Sequence, residues 1–250
     1  MKLTVWQIRL IKVTSFVRLL LARPFYALKL LRYRVVPAFE HAALLRRVRP
    51  KYIVDVGANR GQFSTMALLT LGPTDLTVIE PLEEAFRILK NVLPASADIH
   101  PVAVGSEMKN VPLHVTASSD SSSLLRPTRA QEALSRGGAR VVGQNSVDVL
   151  PLSQLLSADT GPSRLLKIDV QGTELDVLRG LGDRLESFEV VLVESSFDHL
   201  YQGQHLAGEV VAYMIAHGFQ LIAVEWPWVS SGRVVQADLV FERNKSDTVQ

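Results

Sequence analysis

Asp55-Val56-Gly57-Ala58-Asn59-Arg60-Gly61 puts a carboxylate and two glycines into one short run. Gly57 permits a tight turn and the close approach of a ligand to the backbone, and Gly61 does the same where a helix would start. The glycines are separated by three residues, so the run is not G-x-G-x-x-G and a pyrophosphate cradle is disfavoured. Asp55 is suited to hold an ammonium or a ribose hydroxyl. Glu80 lies 19 residues past Gly61, and a carboxylate there suits the two hydroxyls of a ribose. Asp169 and Glu194 each close a further apolar run, which predicts two more carboxylates on the same edge of the molecule.

Strands alternating with helices must position these groups. Tyr52–Val56 is a short apolar run, and residues 62–71 read as a helix. Leu76–Ile79 is a second strand, followed by Leu82, Ala85, Phe86, Leu89, Val92 and Leu93 at helical spacing. Ile99–Val104 reads as a third strand, Leu165–Ile168 as a fourth and Val190–Val193 as a fifth. Helices are expected near Glu174–Leu181 and Leu206–His217, with strands at Gln220–Val224 and Ala237–Phe241. This rhythm predicts βαβ units and a mostly parallel sheet, with ligands beyond the carboxyl ends of its strands. Val111–Gln144, with its serine run and Gly137-Gly138, breaks the rhythm. It reads as a hairpin strand and an inserted loop, either a linker or a substrate lid.

Val54-Asp55-Val56-Gly57-Ala58-Asn59-Arg60-Gly61-Gln62 resembles motif I of class I S-adenosylmethionine-dependent methyltransferases, and more narrowly the FkbM-type family. Glu80-Pro81 is similar to that family's acidic second-strand end. Leu166-Lys167-Ile168-Asp169-Val170-Gln171-Gly172-Thr173-Glu174, running on to Leu178-Arg179-Gly180, resembles its most specific motif, and Val191-Leu192-Val193-Glu194 its fifth-strand signature. The resemblance covers about residues 50–242. Two positions depart from it. The family usually has Glu where Gln171 stands, and often a Leu-Asp pair at Leu152-Ser153.

The resemblance implies a Rossmann-like α/β fold with seven strands and an N-terminal helical extension. It implies S-adenosylmethionine as cofactor, held by Asp55, Gly57, Ala58, Asn59, Gly61, Glu80, Pro81 and Ala103. It also implies methyl transfer to a hydroxyl of a sugar, glycan, glycolipid or secondary metabolite. A hydroxyl is a poor nucleophile while it keeps its proton, so a base is needed. Asp169 is the expected base, and Glu194 is expected to line the acceptor site. His199 is a second candidate base, or merely a solvated loop histidine. Asp169, Glu194 and His199 form an alternative divalent-ion set that their spacing does not demand, and no metal is assigned. Gln171 and Glu174 are the expected substrate contacts, with helix capping the alternative for Glu174. Trp226-Pro227-Trp228 reads either as a sugar-stacking wall or as core.

Composition narrows the remaining classes. The chain has 250 residues, is 47% hydrophobic and contains no Cys, which excludes a disordered chain, a disulfide scaffold and thiolate metal sites. Its net charge of +2 hides an uneven distribution. Residues 1–51 hold 12 Lys/Arg and one acid, Glu40, while the rest is strongly acidic. Residues 1–48 are therefore read as a basic amphipathic helical extension, and 49–250 as the methyltransferase-like domain with an insertion at 111–146.

Trp6, Leu10, Val13, Val17 and Leu20 form one helical stripe, interrupted too often by Arg and Lys for a membrane span or a signal peptide. Further short helices are expected at Phe25–Tyr33 and Pro37–Arg47. The extension is expected either to cap the domain or a second subunit, or to touch an anionic membrane surface through residues 1–36. A cytoplasmic protein, peripheral on the inner face of the membrane in the second case, is the corresponding expectation. The acidic body argues against a nucleic-acid partner. The alternatives are a catalytically silent scaffold and, more weakly, an NAD-dependent oxidoreductase.

Overall fold

A computed structural model describes residues 14, 16, 17, 19–157 and 163–244. Trp6, Leu10 and Val13 of the predicted amphipathic stripe lie outside the described residues. A seven-stranded sheet forms the centre. Its strands are β1 (Tyr52–Val56), β2 (Asp75–Ile79), β3 (Asp98–His100), β7 (Arg164–Ile168), β8 (Val190–Ser196), β9 (Phe219–Ser230) and β10 (Arg233–Arg243). They run in the order β3-β2-β1-β7-β8-β10-β9. The first five are parallel, and β10 is antiparallel to both β8 and β9.

Every residue of β1 and β7 is buried, because strands at the middle of a parallel sheet are covered on both faces. The chain moves outward from β1 to β2 and β3, then returns to β7 on the other side of β1. That reversal opens a crevice where β1 and β7 end. The helices α3 (Gln62–Leu71), α4 (Glu83–Val92), α6 (Glu174–Leu181) and α7 (Ala207–Ala216) link the strands.

Two expectations are corrected. Ile99–Val104 is not one strand: Pro101 separates β3 from β4 (Ala103–Gly105), and β4 joins a second sheet. That sheet, β4-β6-β5, contains the insertion, with β5 (Lys109–Thr116) antiparallel to β6 (Val141–Pro151) and the short helix α5 (Arg129–Leu134) between them in sequence. The strand expected at Gln220–Val224 runs on to Ser230 and so includes Trp226-Pro227-Trp228. Between Gln236↔Trp228 and Asp238↔Glu225, β9 spends three residues against two on β10. The bulge holds Trp226 at φ +48° and turns this end of the ribbon toward the crevice.

The N-terminal helices α1 (Pro24–Arg32) and α2 (Ala42–Val48) pack on the sheet. Ala27, Leu30 and Val35 share one core cluster with Ile53, Leu165 and Val240. The opposite side of α1 leaves Phe25, Leu28 and Leu31 exposed beside Lys29 and Arg32.

Candidate active site

A cavity of about 1100 Å³ opens at the carboxyl ends of β1, β2, β7, β8 and β9 and the amino end of the antiparallel β10. This is large enough to take a nucleoside and a second small molecule side by side. Gly57, Ala58, Asn59, Glu80, Pro81 and Ala103 line one half. Asp169, Gln171 and Glu194 stand in the middle, and His41, Glu225, Trp226, Trp228 and Asp238 line the far half.

Glu80 follows β2 directly and is 4% exposed. Its Oε2 accepts from the backbone N–H of Asn59 (2.7 Å) and its Oε1 from that of Leu82 (2.8 Å). Burial pushes its carboxyl up to about 7, against the pull of those two N–H groups. Asn59 adopts φ +47°, which lets its N–H face back toward Glu80.

Gly57 does something other than yield space to a ligand. It adopts φ +74°, and a Cβ added there would stand 1.8 Å from the carbonyl oxygen of Asp169. The missing side chain lets the β1 and β7 loops touch. Gly61 is likewise structural: it caps α3 at φ +88°, and its absent Cβ leaves room for Leu89.

Asp55 holds an ammonium, as its chemistry predicts, but the ammonium is the protein's own. Its carboxylate is fully buried and does not line the cavity. It accepts from Ser64 Oγ (2.6 Å) and faces Lys167 Nζ at 3.3 Å. Lys167 Nζ also lies 3.3 Å from Asp169 Oδ2 and donates to the carbonyl of Gly57 (3.2 Å). Burial works to discharge this lysine, but Asp169, Asp55 and Glu194 outweigh it and hold it protonated. No role for Lys167 is legible in the sequence beyond one signal: a lone cation inside the apolar run Leu165–Ile168.

Burial likewise works to raise the carboxyl of Asp169, and the Lys167 ammonium with hydrogen bonds from Glu194, Gln171 and Lys167 overcomes it. Asp169 is therefore held below the usual carboxylate range. Glu194 moves the opposite way, raised by burial and then by the charges of Asp169 and Asp238. Of the two, Glu194 is therefore the one that takes a proton first as the pH falls. Gln171, at φ +60°, bridges them: its Nε2 donates to Asp169 Oδ1 and to Glu194 Oε2, both at 2.6 Å. Its Oε1 accepts from Tyr201 Oη at 2.9 Å. The glutamate usual in the family would set a third carboxylate between two, whereas the amide of Gln171 satisfies both.

Two further expected site residues do not line the cavity. His199 is exposed and lines no part of the cavity, so it is not placed to act as the base or to join Asp169 and Glu194 around an ion. Among the described residues its backbone carbonyl accepts from Thr128 Oγ1 and its ring makes no hydrogen bond or ion pair. Glu174 is buried behind the Asp169–Thr173 loop, where its Oε1 accepts from the N–H of Gly172 (2.8 Å). Burial pushes it up to about 7. It shapes the loop that carries Asp169 and Gln171, and does not line the cavity.

The inserted serine run roofs the cavity in a 3-10 turn, Ser119–Ser121. Ser119 Oγ donates to Asn59 Oδ1 (3.1 Å), and Ser123 Oγ to the carbonyl of Gln171 (2.6 Å). The insertion thus ties the first glycine turn to the β7 loop.

The geometry fits the methyl donor that the family implies. A buried carboxylate ends β2, a glycine turn ends β1, and both face the same cavity. The chain resembles solved methyltransferases only distantly. It is 9% identical to TrmK of M. capricolum in complex with S-adenosyl-homocysteine, over 84% of this chain and 71% of that one, with a TM-score of 0.45. It is 10% identical to the magnesium protoporphyrin IX methyltransferase of Synechocystis PCC 6803 with bound SAM, over 81% and 74%, at 0.42. An rRNA methylase from Streptococcus thermophilus is 10% identical over 84% and 97%, at 0.44. At such values the likeness assigns neither a substrate nor a mechanism. No curated protein matches the sequence. Residues 55–221, however, match the model of the methyltransferase FkbM domain. A match of that extent makes the chain a member of the FkbM methyltransferase family, with S-adenosylmethionine as its cofactor.

Proposed function

We propose that the protein transfers the methyl group to a hydroxyl of a sugar, glycan, glycolipid or similar polyol. The observation that carries this reading is the cavity itself, where the ionised Asp169 stands between the Glu80 half and an acceptor half rich in carboxylates. When bound, S-adenosylmethionine supplies an electrophilic methyl group. Glu80 holds the ribose hydroxyls, and the Gly57–Asn59 turn borders them. Asp169 orients the acceptor hydroxyl and takes its proton. A lowered pKa does not disqualify it, because an alcohol oxygen becomes strongly acidic as its new bond to carbon forms. Gln171 and Lys167 keep that carboxylate in one orientation, and orientation supplies much of the rate in such displacements. The serine roof excludes water. Lys167 is the one Lys or Arg among the described residues lining the cavity. Such a wall repels a phosphate backbone, which supports a non-nucleic-acid acceptor.

Incubation with labelled S-adenosylmethionine and fractionated lipid and polysaccharide extracts tests the reading. Label in a methyl ether supports it; label confined to RNA overturns it, and no label in any fraction favours the scaffold alternative. The cofactor half has its own expected outcome. Glu80→Ala weakens S-adenosylmethionine binding roughly 10- to 100-fold, the loss expected for a hydrogen-bonding carboxylate. Because Glu80 ionises near pH 7, wild-type affinity rises between pH 6 and 8, and Glu80→Gln flattens that rise. Isothermal titration at three pH values checks both.

A peripheral contact with an anionic membrane is a second reading. It is favoured by Leu21 (81% exposed) and Phe25 (87% exposed), which stand beside Arg23, Lys29 and Arg32. Among the described residues no helix is long and apolar enough to cross a bilayer. Deleting residues 1–36 is a poor test, because it removes Ala27, Leu30 and Val35 from the core. Leu21→Glu with Phe25→Glu instead leaves the core intact and is expected to lower co-sedimentation with anionic liposomes at least tenfold. Unchanged sedimentation would remove the membrane reading.

A further inference from the structure

The far half of the cavity carries an unusual cost. In register, Glu194 is directly opposite Asp238, and Asp238 is directly opposite Glu225. Directly paired residues project to the same face of a sheet, so three carboxylates form a row across β8, β10 and β9. Like charges in that arrangement are destabilising. Burial, and then the charge of Asp169, pushes Asp238 up to about 7; burial also raises Glu225. Asp238 and Glu225 accept no hydrogen bond among the described residues, and the nearest counter-group to Asp238 is His41, with Nε2 at 3.7 Å.

His41 is an independent sign of a missing partner. It sits in a 3-10 turn, Phe39–His41, is 8% exposed and lines the same cavity wall. Its Nδ1 is buried without a hydrogen-bond partner. Burial pushes its ring down to about 4, so it is neutral at pH 7 and offers a nitrogen, not a charge. Trp226 and Trp228, brought in by the β9 bulge, add two indole faces to the wall.

We propose that this half-site takes a polyhydroxylated acceptor bearing a protonated amine, an amino sugar or a short chain of them. The inference rests on the methyl-transfer reading above and names the class of acceptor for that same cavity. The ammonium sits on the Glu194–Asp238–Glu225 row and relieves its repulsion. The His41 ring borders the bound sugar, one face of which stacks on the tryptophans. The row also protects the amine from methylation. An amine kept protonated has no lone pair to attack with, so the methyl group goes to oxygen. His41, Glu225 and Asp238 all lie outside the matched residues 55–221. The acceptor end is therefore built from segments that flank the family domain.

The test is a tryptophan-fluorescence titration of the full chain saturated with S-adenosylhomocysteine. The probes are a glucosamine tetramer and its fully N-acetylated counterpart, which share a backbone and differ in charge. The amine form is expected to bind at least tenfold more tightly. Asp238→Asn and Glu225→Gln are each expected to remove most of that preference while S-adenosylhomocysteine affinity stays within twofold. Trp226→Phe with Trp228→Phe identifies the signal. Equal binding of the two tetramers, binding of neither at millimolar concentration, or a preference that survives both carboxylate variants would overturn the inference. Failure of S-adenosylhomocysteine to bind would instead overturn the methyl-transfer reading, so the two failures are distinguishable.

Discussion

Gly57→Ala is expected to abolish cofactor binding and to destabilise the fold by about 3 kcal/mol or more. The new Cβ would stand 1.8 Å from the Asp169 carbonyl oxygen and 2.7 Å from its carbon. Both are backbone atoms, so no side chain can swing aside. The φ of +74° adds strain for any residue with a Cβ. Relief requires the β1 and β7 loops to part, and that breaks the bond from Lys167 Nζ to the Gly57 carbonyl. Gly61→Ala is the control. Its Cβ would meet Leu89 Cδ2 at 2.9 Å, the mobile end of a side chain. Its cost is expected to be about 1–2 kcal/mol, mostly from φ +88°. Urea denaturation and isothermal titration of both variants check this, and wild-type affinity in Gly57→Ala would refute the close-approach argument.

Lys167→Met is the second large effect. It leaves the fully buried Asp55 and its neighbour Asp169 without their shared cation. Removing one partner of a buried ion pair costs about 3–5 kcal/mol, because the other charge is left unpaired. The sign of the pH dependence follows from Asp169, whose folded-state pKa is depressed. Its contribution to stability is present above its unfolded value of about 3.9 and is lost as the pH falls through the folded value. Lys167, with a raised pKa, contributes fully at all pH values below about 10. The gap between wild type and variant is therefore widest at pH 6–8 and narrows as acid protonates Asp169. Denaturation curves at pH 7.5 and pH 3.5 measure it. A gap below about 1 kcal/mol at pH 7.5, or one that widens in acid, would contradict the assigned role of Lys167.

These two residues also show how far the sequence could be read. Gly57 was visible as a turn glycine, since a short apolar strand that ends in glycine is a local pattern. Its reason was not visible, because the obstructing carbonyl belongs to Asp169, more than a hundred residues away. Lys167 showed only as a charge in an apolar run. Asp55 reads from the sequence as a holder of an ammonium or a ribose hydroxyl and, by resemblance, as a cofactor contact; that it instead faces Lys167 depends on the parallel pairing of β1 with β7. His199 shows the converse. A histidine just beyond an apolar strand looks close to a cleft in sequence, and the turn that carries it faces solvent.

The alternation of strands and helices, the glycine turn, the acid that ends β2 and the β7 motif with its downstream helix are all legible in the amino-acid order alone. Each of these is written in contiguous residues, through periodicity or fixed spacing. Which carboxylates face the cavity, which are satisfied internally and which are pushed toward protonation emerges only when the chain packs. Burial and charge proximity are properties of the packed molecule, and they separate Asp169 from Glu194 although both simply end strands. Packing alone brings His41 into one cavity wall with Glu225 and Asp238. No local pattern links residues that meet only because β10 inserts between β8 and β9 and the first helices fold back onto the sheet.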